Sequence, residues 1–188
     1  MASVLDPLLI TPPDFANYRD ISVNLDKGEL DPFIREAQAF NMRNFLGDIL
    51  YTELIQDFTP DAGEGTFTED KFTKLWFGQS DWNHGGDIIQ YNGLKPAVIY
   101  WAFGFMIDNN SVKVTRSGLR IIEGDFSEDA TTTLVRDKKT KARDNAETYA
   151  NRADAFIRDQ GDIYPDYRRF VVHGVRTGRT GFKFRMVK

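Results

Sequence analysis

Catalysis in a chain of this size needs a nucleophile, a tuned base or a metal cage, and the candidates are few. The 188 residues hold two histidines, His84 and His173, and no cysteine. Without cysteine there is no disulfide framework, thiol nucleophile, iron–sulfur cluster or Cys-based zinc site. The histidines form no His-Glu-x-x-His string and no i, i+4 pair, so they predict no zinc centre. No G-x-S-x-G elbow, P-loop or G-x-G-x-x-G fingerprint occurs. The string Gly178-Arg179-Thr180-Gly181-Phe182-Lys183 is Gly-rich and basic, but its spacing is wrong for a P-loop and no helix follows it. The nearest approach to a metal site is Asp81-Trp82-Asn83-His84-Gly85-Gly86-Asp87. Asp81 and Asn83 match the first two ligands of a calcium loop and Gly86 its turn glycine. Gly85 then takes the fifth position, and Asn92 replaces the bidentate Glu that is the strongest ligand. The competing reading, an Asx- and Gly-rich surface loop, is the one adopted. The residues therefore predict no catalytic group, no cofactor and no metal: a chain that is not an enzyme.

What remains is a binding chemistry. From Asp166 onward the chain carries Arg168, Arg169, Arg176, Arg179, Lys183, Arg185 and Lys188 against Asp166 alone, whereas the rest is acidic within an overall charge of −4. An acidic body with a basic tail calls for an acidic partner. Arg168, Arg169, Phe170, Arg179, Phe182, Lys183, Phe184 and Arg185 are the candidate partner-binding residues. Phe182, Phe184 and Met186 alternate with Lys183, Arg185 and Val187, the pattern of a strand. Such a tail could add to a partner's sheet edge, fold back on its own body as a hairpin, or track a nucleic-acid backbone. The third option makes a nucleic-acid-binding accessory protein the alternative function.

The elements that must carry this tail read as mainly helical. Apolar residues make up 41% and aromatics 13%, enough for a core. Residues 1–30 read as loop, with a short extended stretch at Ile21–Leu25. Asp31 as N-cap and Pro32 in the first position open a helix, Pro32–Leu46, which Gly47 stops. Asp48 caps a second, Ile49–Phe58. Residues 59–67 are a loop, and Thr68 caps a short helix, Glu69–Phe77. The segment 78–93 is a long polar loop with aromatics, functional or interfacial by its length. Leu94–Ile107 is apolar nearly all round and predicts the central buried helix. It is too short to span a bilayer, and no apolar run reaches the roughly 20 residues a membrane helix needs. The opening residues lack the basic and apolar regions of a signal peptide. Residues 112–122 read as two strands around Ser117-Gly118, and 123–130 as an acidic linker. Thr131–Gln160 is the longest helix. Val135, Ala142, Tyr149 and Phe156 recur every seven residues, with Ala146 and Ala153 between them, a stripe on which a neighbouring helix could pack closely. The expected fold is a bundle of about four helices over residues 1–165, with an inserted β-hairpin and an extended C-terminal β arm at 166–188.

Two groups of strings resemble a known family. Leu30-Asp31-Pro32-Phe33-Ile34-Arg35-Glu36-Ala37-Gln38 leads to Phe45-Leu46-Gly47-Asp48-Ile49-Leu50-Tyr51. Then Tyr91-Asn92-Gly93-Leu94-Lys95-Pro96-Ala97 leads to Val114-Thr115-Arg116-Ser117-Gly118-Leu119. Their order resembles the head–tail connector (neck adaptor) proteins of tailed bacteriophages, as in phages of Bacteroidetes, over roughly residues 20–160. The resemblance implies a structural virion subunit without an active site, made in the host cytoplasm and built into the neck. It would form a dodecameric ring under the portal, joining capsid to tail around the channel through which double-stranded DNA passes. The implied partners are further copies of the chain, the portal protein and a downstream neck or tail protein, with no membrane. The long helix, with Val135, Ala142, Ala146, Tyr149, Ala153 and Phe156, would be the side-to-side packing surface, and the C-terminal segment would reach the portal.

Overall fold

A computed structural model of the chain describes residues 6–18, 27–61, 65–110, 112–115, 118–121 and 132–167. These residues are mostly helical, with short antiparallel strand pairs. The tail from Arg168 onward, the stretch Ile21–Leu25 and the linker 123–130 lie outside the described residues.

The central element is α6 (Lys95–Asn110). Leu94, Ala97, Val98, Ile99 and Ala102 on and before it are fully buried, as its all-round apolarity predicts. It packs against α2 (Lys27–Glu36) and that helix's continuation, and against α7 (Thr132–Asp159). The contacts Lys139–Asp108 and Tyr149–Tyr100 run in opposite order along the two helices, so α7 packs antiparallel to α6.

Asp31 is not an N-cap. The helix starts at Lys27, and Asp31 and Pro32 lie inside it. Pro32 cannot donate to the carbonyl of Gly28, but Gly28 is exposed, so water can satisfy that carbonyl. Beyond Glu36 the helix widens into a π-helical segment, Ala37–Met42, then tightens again as α3 (Arg43–Leu46). The widened turn carries the buried side chain of Gln38. Its Oε1 accepts the Leu9 N–H at 2.9 Å, and its Nε2 donates to the Pro7 carbonyl at 3.0 Å. Residues 6–18 are thereby a strap and not a free loop. Leu9, Ile10 and Phe15 enter the core, and α1 (Pro12–Ala16) places Asp14 against Lys95 at 2.7 Å, both side chains nearly sealed from water.

Gly47, at φ 81°, makes the corner that leads to α4 (Asp48–Asp57), as expected. The expected loop 59–67 instead holds a short ladder: β1 (Phe58–Thr59) pairs with β2 (Thr66–Phe67), and the Phe58 and Phe67 rings meet at 5.2 Å. Thr68 does not cap α5 (Asp70–Phe77). The carboxylate of Asp57 accepts the N–H groups of Thr68 and Glu69, supplying that cap from α4. The expected hairpin within 112–122 is present as β5 (Val112–Thr115) and β6 (Gly118–Ile121).

Candidate functional site

The segment 78–93, expected as a loop, is a β-hairpin. β3 (Gln79–His84) and β4 (Asp87–Tyr91) pair antiparallel across the two-residue turn Gly85-Gly86. Both glycines have positive φ, 63° and 102°, which an Asn-Gly-like two-residue hairpin turn demands. The Asn83 side chain accepts the Gly86 N–H at 3.1 Å and closes the turn. Asp81 and Asn83 thus serve a ladder and a turn. Among the described residues no three His, Asp or Glu side chains gather to hold a metal ion.

The base of the hairpin is pinched between backbones. A Cβ on Gly78 would collide with the Tyr91 carbonyl, and one on Gly93 with the Trp76 carbonyl. The Leu75 carbonyl accepts both the Leu94 N–H and the Tyr91 hydroxyl at 2.9 Å. One face of the hairpin lies on the C-terminal half of α7. Tyr91 stacks on Phe156 at 4.1 Å, and Trp82 meets the same ring edge-on at 5.6 Å. Asp159 latches the arrangement. Its Oδ2 accepts the Trp82 indole N–H at 3.1 Å and lies 2.6 Å from His84 Nδ1. A carboxylate can only accept, so His84 Nδ1 is the donor in this contact. The His84 ring in turn packs on Trp82, centroids 4.7 Å apart.

A His–carboxylate pair is also the orienting half of a general base. Here the same carboxylate oxygen holds an indole, and the imidazole leans on that indole, so the geometry is that of a clasp. Beside it runs an open groove of about 360 Å³ lined by Trp82, His84, Ile89, Gln90, Asn151 and Arg152. The outer part of the hairpin faces water: Ile88 is 74% exposed and Ile89 39%. Burial holds the hydroxyls of Tyr91 and Tyr164 well above the usual phenol range. Burial, then the Asp6 carboxylate, pushes Tyr51 up to about 12. All three are hydrogen-bonding struts, Tyr51 to Asp6 and the others to the backbone.

The expected side-to-side surface on α7 requires correction. Ala142, Ala146, Ala153 and Phe156 are fully buried within the single chain, with Tyr149 stacked on Tyr100 and Val135 partly covered. The stripe is spent on packing inside the chain, and its buried members have no surface left for another copy. The expected partner-binding residues Arg168, Arg169, Phe170, Arg179, Phe182, Lys183, Phe184 and Arg185 lie outside the described residues. What the sequence reading missed is Asp159, which meets His84 across 75 positions. No local spacing could join them, although Trp82 and His84 at i, i+2 do signal one face of a strand.

No curated protein and no solved structure matches the chain. A family model matches residues 42–169, a stretch that includes the clasped hairpin, α6 and α7. With more than half of its length matched, the chain belongs to that family, a family of unknown function (DUF6712).

Proposed function

We propose that the chain is a structural virion protein: a head–tail connector subunit that assembles as a ring under the portal and joins capsid to tail around the DNA channel. The observation that carries the reading is the projecting β3–β4 hairpin. It is fixed at its base by backbone and aromatic contacts, yet it presents Ile88 and Ile89 to water. Exposed apolar residues on a rigid, open-edged ladder suit docking to another protein. The order of the strings from Leu30 to Leu119 supports the connector family in particular. In this reading α2 with its continuation, α4, α6 and α7 are the bundle of about four helices. Residues 166–188 form the β arm that reaches the portal, and the acidic body lets the duplex pass without being held. The partners are further copies of the chain, the portal, a downstream neck or tail protein and, in passing, DNA. The location is the virion neck, after synthesis in the host cytoplasm.

Copurification with portal rings, followed by imaging of the complex, tests this. The reading expects a ring of copies seated on the portal and loss of seating when residues 166–188 are removed. A chain that ignores the portal, or one that binds duplex DNA steeply with salt and loses that binding with the tail, overturns it in favour of the nucleic-acid accessory reading.

A further inference from the structure

α7 spans 28 residues, about 42 Å at the helical rise, and cations crowd its first half. Arg136, Lys138, Lys139, Lys141 and Arg143 stand there against Asp137 and Asp144. Every residue from 136 to 141 is exposed. Lys139 pairs with Asp108 near the end of α6. Among the described residues Arg136, Lys138 and Lys141 pair with no carboxylate. The first turn of α7 holds no acidic residue, so the positive end of the helix dipole adds to this charge.

At the other end of α7, Asp154, Asp159 and Asp162 stand with Asp81 and Asp87 of the clasped hairpin, against Arg152 and Arg158. Asp81 and Asp87 are exposed and make no ion pair among the described residues. Exposed Ile88 pairs with Asn83 and so shares with it and Asp81 the face of the hairpin turned away from Trp82, while Asp87, paired with His84, lies on the Trp82 side.

Two complementary surfaces at opposite ends of one stiff helix cannot meet within a chain. We infer that they meet between chains: the β3–β4 hairpin of one copy docks on the basic first half of α7 of the next. Asp81 faces Lys138 and Lys141, and Ile88, on the same face of the hairpin, packs on the aliphatic stems of those lysines. Such a contact is head-to-tail, and repetition closes it into a ring or extends it into a filament. The inference rests on the ring-subunit reading and names the surfaces that would mate in it.

The test uses the full chain, free and with portal rings, with association measured by sedimentation velocity at low and high salt. Lys138→Glu/Lys141→Glu and Asp81→Lys are each expected to weaken association by about tenfold or more. An equimolar mixture of the two reversed chains is expected to associate again, because each reversed surface finds its complement. All three positions are exposed, and unchanged thermal unfolding verifies that both variants fold. Reversed chains that assemble on portal as well as the unaltered chain, or a mixture that fails to recover, overturn the inference and leave the ring reading standing. Copies that stay monomeric both free and with portal overturn both. Duplex DNA bound by the unaltered chain and lost only with Lys138→Glu/Lys141→Glu, without self-association, assigns the basic half of α7 to nucleic acid and overturns the inference.

Discussion

The strap end and the hairpin end of this molecule are each fastened to a long helix by one carboxylate, and the two fastenings differ in every other respect. Asp14 and Lys95 meet at 2.7 Å with side chains 9% and 6% exposed, inside a layer formed by Leu9, Ile10 and Phe15. Asp159 and His84 meet at 2.6 Å at the surface, beside a groove and two exposed isoleucines. The buried pair has no water to replace a lost partner; the surface pair has. One end of the fold is therefore committed to holding the chain together, and the other keeps apolar and charged groups available.

Breaking the buried pair has the largest expected effect. Asp14→Ala takes the carboxylate from a nearly sealed ammonium and should cost about 3–5 kcal/mol, read by urea unfolding. Replacing both, as Asp14→Leu with Lys95→Met, should recover most of that loss, because no buried charge remains. Gln38→Leu removes both hydrogen bonds to the strap and leaves the Leu9 N–H buried without an acceptor, a loss of about 1–3 kcal/mol by the same measurement. At the hairpin, His84→Ala should change global stability by less than about 1 kcal/mol, since its contact is solvent-screened. Its signature is local: faster hydrogen exchange at the amides of 82–90 while α6 stays protected. Equal loss at the two ends would erase the distinction drawn between them.

Alkaline titration sharpens the comparison further. Tyr51, whose hydroxyl ties the strap residue Asp6 to α4, has its folded pKa raised to about 12 from the ordinary phenol value of 10.0. A raised folded pKa means its contribution is fully present below the unfolded value and is lost as pH rises through the folded one. Stability should hold to about pH 10 and fall as pH approaches 12. In Tyr51→Phe that part of the alkaline loss is absent. Tyrosinate absorbance and unfolding followed together check the expectation.

The parts of the fold legible in the sequence are those decided by local chemistry. The all-round apolar run at Leu94–Ile107 became the central helix, Gly47 made its corner, and the long helix ends within a residue or two of its predicted limits. Several misreadings share one cause: tertiary partners far along the chain. An apolar stripe on α7 states that a face is covered and not what covers it; α6 of the same chain covers most of it, not a second subunit. The hairpin 79–91 hid because a register shift between Gln79 and Trp82 breaks its alternation and because its outer face is polar. The strap looked like loop because Gln38, 29 positions from Leu9, supplies its hydrogen bonds. The run of exposed cations in the first half of α7 was averaged away in a body that is acidic as a whole.

The most direct test of the account is electron cryomicroscopy of the assembled virion neck. The account predicts copies of this chain in a closed ring between portal and tail, each seating its β3–β4 hairpin on the first turns of α7 in the next copy. A neck that contains no copy of the chain would contradict it.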